Sequence, residues 1–378
     1  MSRLLLLLLT CFGGFSSHCA ESSGNYSPSG FVGDDSIPSG LRLHYLPLQA
    51  DDNGEGGGGP AAAVTEELPP VMLKGRQAKS YRGIDNPSTT IGFDVWGDYL
   101  STQSISGDRG SATLSCVGTA ANPCAIDALN ANFTKLKISG SYLVFQGGTV
   151  NAPAERGPFV LLDGCQFCVV RDVTVNGPGI DSAYSAAVGL GPNVVWIGGT
   201  IQGFGDIRPE AREQDFHGIK TMGPGPTWIL EAEIYNNSGD SVQVGDASRG
   251  VSNDVYIGGG IFRDNRENGV DIKDSNNIVV SGVVMSGFSP TQSDPGSAIV
   301  IHDDAFNAKI FDNIITDSNI GIVSSGADGH IINGNRITAE AVGIQLRNTR
   351  NLSVTDNVIS APLPVEVQSG TSGKIQRR

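Results

Sequence analysis

Residues 309–360 read KIFDNIITDSNIGIVSSGADGHIINGNRITAEAVGIQLRNTRNLSVTDNVIS, and their rhythm decides the fold. Asn313, Asn335 and Asn357 recur every 22 residues, each within two residues of an Ile or Val. GIVSS at 321 and GIQLR at 343 repeat at the same interval. Each period therefore holds short β-branched runs broken by Gly, Asn, Asp and Ser, the composition of short strands joined by tight turns.

The pattern extends upstream. CVVRDVTVNG, NVVWIGGTIQG, TWILEAEIYNN, DVYIGGGIFRDN and NIVVSGVVMSG form one series, and GIKTM, SVQVG, GVDIK, AIVIH, GIVSS and GIQLR a second. The second series starts at residues 218, 241, 269, 298, 321 and 343, with spacings of 23, 28, 29, 23 and 22. A repeat of this length with several strands per period means a solenoid. The LxxLxL frame of leucine-rich repeats is absent, and propeller blades need a longer period. The reading that fits is an all-β, right-handed parallel β-helix of eight or nine coils over residues 112–362. Branched residues point inward and stack, polar residues point outward, and the recurring asparagines form a hydrogen-bonded ladder at a turn.

The flanks differ. Residues 1–20, MSRLLLLLLTCFGGFSSHCA, have the charged start, short apolar run and small final residue of a secretory signal peptide. Ser16 weakens a competing lipoprotein reading through Cys19. Residues 21–80 include DDNGEGGGGPAAA and read as a flexible, Gly-, Pro- and acid-rich leader or linker. Residues 81–111 form a lead-in and 363–378 a tail. No segment is long and apolar enough to span a bilayer.

Glycine, at 51 of 378 residues, argues against long helices. The net charge of −14 excludes a general nucleic-acid binder. Much of that acidity lies in the leader, where residues 21–67 carry eight acids against one base. Four cysteines follow the signal: Cys116, Cys124, Cys165 and Cys168. Export makes disulfides the expected state. CVGTAANPC is a plausible closed loop, while CQFC is either a short-range disulfide or two thiols on neighbouring strand positions.

The repeat frame locates candidate chemistry. Aligned on its first small residue, the second series carries Lys220, Gln243, Asp271, Val300, Val323 and Gln345 at position three. Position five holds Met222, Gly245, Lys273, His302, Ser325 and Arg347. Strand alternation puts both columns on one outward face, with neighbours about 5 Å apart along a column and about 7 Å between columns. Asp303 and Asp304 end one strand, Asp215 and His217 precede another, and Asp240, Arg266 and Glu267 occupy turns entering the sheet. The charged residues crowd the middle coils and fade in the last ones. A solvated polar face is the bland alternative for any one of them, and an Asp271–lysine pair could be an ordinary surface ion pair.

DFHGIK, NNSGDSVQVGD, RENGVDIKDSNNIVVSGVVMSGF and AIVIHDD, in this order, resemble secreted right-handed β-helix proteins of the pectate-lyase-like superfamily, including alginate-type polysaccharide lyases. The resemblance covers residues 110–360. It implies β-elimination beside a uronic acid, which requires neutralising the carboxylate, removing the proton at carbon 5 and protonating the departing oxygen. Lys220, Lys273, His302, His217 and Tyr184 are the catalytic candidates. Gln243, Asp271, Arg266, Asp303 and Asp215 are the substrate-binding candidates. Repulsion between the lysines is expected to lower one of their pKa values, as a lysine base needs.

No protein metal site is assigned, and no cofactor is required on this reading. Calcium stays open, with Asp240, Asp246, Asp271, Asp274, Asp303 and Asp304 as the oxygen donors available. The partner is an acidic polysaccharide, met by a local basic patch because the overall charge repels it. Three rivals share the fold: a glycoside hydrolase, a uronate epimerase and a glycan-binding protein without turnover. The first needs carboxylates at fixed spacing, and this chain lacks the GHG and RIK signatures of the β-helix polygalacturonases.

Overall fold

The computed structural model describes residues 69–162, 164–179, 185–208, 215–245, 251–291, 294–326 and 328–377. The signal segment, the leader as far as residue 68, Tyr184 and Asp246 lie outside the described residues. No helix among the described residues is long and apolar enough to cross a membrane.

The chain winds into a right-handed parallel β-helix of about 11 turns. This is more than the eight or nine coils expected, because strands begin at Gln103–Asp108 and continue to Gly373–Ile375. The sequence frame missed the outermost turns, whose strands repeat least clearly. Three parallel ladders run the length of the cylinder. The first, which carries the site, includes Ser185–Leu190, Phe216–Thr221, Val242–Val244, Val270–Ile272 and Ser297–Ile301. The second includes Val194–Ile197, Thr227–Leu230, Val255–Gly258 and Val279–Ser281. The third includes Thr200–Gln202, Glu233–Tyr235 and Ile261–Arg263.

Inside the cylinder, like residues stack on like. Ile219, Val242, Val270 and Ile299 pair in succession and are fully buried. Phe204 and Phe216 stack at 4.8 Å between ring centres. Parallel strands buried this way draw on long-range contacts that no single coil could make alone.

The asparagine ladder is present. The Asn335 carboxamide donates to Asn357 Oδ1 at 2.9 Å and accepts the Asn313 side-chain N–H at 2.9 Å. Asn313 and Asn335 are both fully buried. An earlier rung pair was not foreseen: Asn237 donates to Asn265 Oδ1 at 2.9 Å from its side chain and 2.8 Å from its backbone. Both ladders satisfy buried turn amides that have no strand partner.

The rule of polar outward positions fails on the second sheet. Val144, Val169, Val195, Ile197, Trp228, Leu230 and Val279 point away from the core and are still buried. An N-terminal arm covers them, using Leu73, Ile91, Phe93, Val95 and Trp96. The arm thus packs within residues that read as flexible leader and lead-in. Arg171, fully buried, fastens it by donating to Val95 O from Nε at 3.1 Å and Nη2 at 2.6 Å, and from Nη1 to Gly97 O at 3.0 Å. Arg76 adds ion pairs to Asp172 and, at 2.7 Å, to Glu231. Two disulfides join Cys116 to Cys124 and Cys165 to Cys168. The CQFC pair is therefore a short-range bridge rather than two thiols.

Candidate functional site

The column deduced from the repeats is real. Lys220 pairs with Gln243, Gln243 with Asp271, Asp271 with Val300, Val300 with Val323, and Val323 with Gln345. Lys273 follows its strand directly, and its N–H bonds Val244 O at 2.9 Å. His302 takes the equivalent place one coil on, its N–H bonding Ile272 O at 3.0 Å. Lys220 and Lys273 both remain partly exposed on the same sheet.

Asp271 is the centre of the first cluster. Its side chain is only 4% exposed, yet its two oxygens meet Lys273 Nζ at 2.6 Å and His302 Nε2 at 2.7 Å. Both partners reach solvent, with side chains 35% and 39% exposed. Burial alone would raise the Asp271 pKa, but His302 and Lys273 hold it below the usual carboxylate range. The hydrogen bond to Asp271 lifts His302 above the ordinary histidine value against the opposing effect of burial. Burial works against the charge on Lys273, and Asp271 outweighs it, so this lysine is raised as well. The expected fall in a lysine pKa is thus overturned for Lys273: its near neighbour is a carboxylate. Asp271 is thus enclosed by Lys273 and His302, and Gln243 beside it is also buried.

A second cluster lies at the turns entering the same sheet. His217, 3% exposed, sits with Nδ1 at 3.0 Å from Asp240 Oδ2 and accepts the Asp240 backbone N–H at 3.1 Å. Gly239 permits this approach, because a Cβ there would lie 2.7 Å from His217 Nδ1. Asp240 Oδ1 accepts the Asn268 backbone N–H at 3.1 Å and its carboxamide at 2.9 Å. Arg266 is buried, with Nη2 at 3.6 Å from Asp215 Oδ1 and Nε donating to Ser238 O at 3.1 Å. Arg266 and Asp215, two of the expected substrate-binding residues, are both buried beside this cluster.

Glu267 belongs to this cluster, although only its place at a turn was legible in the sequence. Burial, with the Asp240 charge and a hydrogen bond to Asp215, pushes its carboxyl up to about 11. Asp294, from the next turn, is raised chiefly by burial and approaches Asn268 Nδ2 at 3.4 Å. Stacked turns bring these acids together. The signal for them was the recurrence of an acid just ahead of successive strands, at Asp215, Asp240, Glu267 and Asp294.

Three of the described aspartates considered for calcium are accounted for by their surroundings. Asp271 is taken by Lys273 and His302, and Asp303 and Asp304 are exposed at a turn. Among the described residues, the one group of three carboxylate, imidazole or thiol side chains close enough to share an ion is His217, Asp240 and Glu267, with donor atoms within 4.8 Å of one another. Its imidazole makes it unlike the oxygen cage calcium prefers.

Comparison with known proteins agrees with this architecture. Residues 225–373 match the family described as periplasmic copper-binding protein (NosD). No curated protein matches the sequence. Among solved structures, a mannuronic acid specific polysaccharide family 6 lyase from human gut microbiota is 12% identical, with 67% of this chain and 68% of that chain covered and a TM-score of 0.48. An alginate lyase from Paenibacillus sp. str. FPU-7 is 15% identical, with 72% and 90% covered and a TM-score of 0.43. The A-module of the mannuronan C-5 epimerase AlgE6 from Azotobacter vinelandii is 17% identical, with 72% and 91% covered and a TM-score of 0.37. The chain is a right-handed parallel β-helix protein.

Proposed function

We propose that the protein is an exported polysaccharide lyase that cleaves a uronic-acid-containing chain by β-elimination. The observation that carries this reading is the buried Asp271 carboxylate holding Lys273 and His302 side by side, both reaching solvent. His302 Nε2–H donates to Asp271, which leaves Nδ1 as the acceptor in the neutral ring. An imidazole oriented by a carboxylate is a general base. Lys273, kept charged, neutralises the uronate carboxylate and so acidifies the proton at carbon 5. Lys220, two coils away in the adjoining column, binds another acidic sugar of the same chain. His302, rather than a lysine, is then the base.

In the elimination the carbon 5 proton goes to His302, the electron pair forms the 4,5 double bond as the bond from carbon 4 to the glycosidic oxygen breaks, and the departing oxygen takes a proton from water. The two disulfides support an oxidising compartment, in keeping with the expected signal segment.

The test is a panel of alginate, pectate, glycosaminoglycans and gellan-type polymers, followed by ultraviolet absorbance of the unsaturated product. Wild type is expected to give signal on at least one uronate polymer, with His302→Gln lowering the rate by about 10²–10⁴-fold. New reducing ends without ultraviolet absorbance would mean hydrolysis. Exchange at carbon 5 without cleavage would mean epimerisation, and binding without turnover a glycan adhesin.

A further inference from the structure

The His217 cluster is buried, crowded with acid and separate from the pair held by Asp271. Asp240 is 1% exposed, and its Oδ2 has no hydrogen-bond donor. His217 Nδ1 lies 3.0 Å from it. That nitrogen already accepts the Asp240 backbone N–H, so in this arrangement it has no proton to offer. Two lone-pair atoms therefore face each other in a buried site, which costs free energy unless positive charge lies between or beside them. Glu267 brings a third donor within 4.8 Å.

We propose that His217, Asp240 and Glu267 bind one divalent metal ion of the kind that accepts imidazole nitrogen and carboxylate oxygen together, with zinc and manganese as its representatives. One imidazole and two carboxylates leave an open coordination position, and they favour such ions over the all-oxygen preference of calcium and magnesium. Asn268 orients Asp240 through two hydrogen bonds, as outer-shell groups orient metal-binding carboxylates. The ion would stand at the turns that enter the sheet carrying Lys220 and Asp271. The proposal concerns binding alone and does not depend on the elimination reading.

The experiment uses the full-length protein stripped with a chelator and titrated calorimetrically with Zn²⁺, Mn²⁺ and Ca²⁺. Co²⁺ serves as a spectroscopic probe of nitrogen ligation. One Zn²⁺ or Mn²⁺ per chain is expected, bound more tightly than Ca²⁺, with visible Co²⁺ absorption that disappears in His217→Gln. Glu267→Gln, nearly isosteric, should weaken binding by more than the ~100-fold that outer-shell changes cost. Asp303→Asn, on the exposed turn, should leave affinity unchanged. Melting curves in the absence of metal check that each variant folds. No stoichiometric binding by wild type would overturn the proposal and assign the cluster a proton on His217 instead. Equal binding by folded wild type, His217→Gln and Glu267→Gln would overturn it too, as would a preference for Ca²⁺.

Discussion

Asp271 decides the character of the site at the scale of single residues. In the sequence it is one polar residue on an outward column, indistinguishable from a solvated face. In the structure Lys273 and His302 cover it, and it fixes both. The linkage has a definite sign. Because His302 is raised in the folded protein, its imidazolium–carboxylate pair adds stability below the ordinary histidine pKa of about 6.5, and that contribution is lost as pH rises through the elevated value. The base-competent neutral ring exists only above the elevated value. Activity should therefore climb with pH through a range above that of an ordinary histidine. Asp271→Asn should shift this acid limb to lower pH, toward 6.5, while lowering the maximal rate by about 10²-fold or more. A pH–rate profile beside an NMR titration of His302 checks both, and an unmoved limb would remove Asp271 from its positioning role. The sequence exposed the membership of this cluster through register alone. It could not expose the hydrogen bonds, which depend on side-chain torsions.

At the scale of elements, the stacked turns are what make the coils cohere. Asn313, Asn335 and Asn357 stood out because three successive coils have equal length. Asn237 and Asn265 do the same work but were not recognised, because their spacing of 28 residues spans a coil with an insertion. The loss of period hid the ladder exactly where it places the acids, since Asp240 and Glu267 follow those two asparagines closely. Asn335→Ala leaves at least two buried polar groups without partners, at about 1–3 kcal/mol each. Its expected cost is about 2–6 kcal/mol on the same principle. Glu340→Ala, on an exposed outward position, should stay within about 0.5 kcal/mol. Denaturant unfolding of the two variants makes the comparison, and equal stabilities would deny the ladder its role.

At the scale of the whole molecule, the arm over the second sheet sets the boundary of the folded domain. VVWI and TWIL are apolar at consecutive positions, the mark of strands buried on both faces. That signal was available, but nothing in the chain says which segment provides the second layer. The arm lies far from those strands in sequence, and its Gly- and Pro-containing stretches look like linker. Deleting residues 1–101 uncovers a row of Val, Ile, Leu and Trp side chains, worth about 1.5–3 kcal/mol each when fully buried. The truncated protein should melt at lower temperature, bind hydrophobic dye and aggregate. A truncation as stable and soluble as wild type would mean that the arm is dispensable.

The β-helix itself was determined by the sequence, because a solenoid writes its period directly into the chain: each coil repeats the same alternation, and neighbours pair in fixed register. That periodicity also aligned Lys220, Gln243 and Asp271 in one column. Only the tertiary structure separated the charged residues into two groups. Asp271 is buried between Lys273 and His302, while His217, Asp240 and Glu267 gather at the turns. The physical reason is that strand register is a backbone property with a repeat of its own. Burial, ion pairing and the outer layer arise from contacts between distant segments, and these have no period to read.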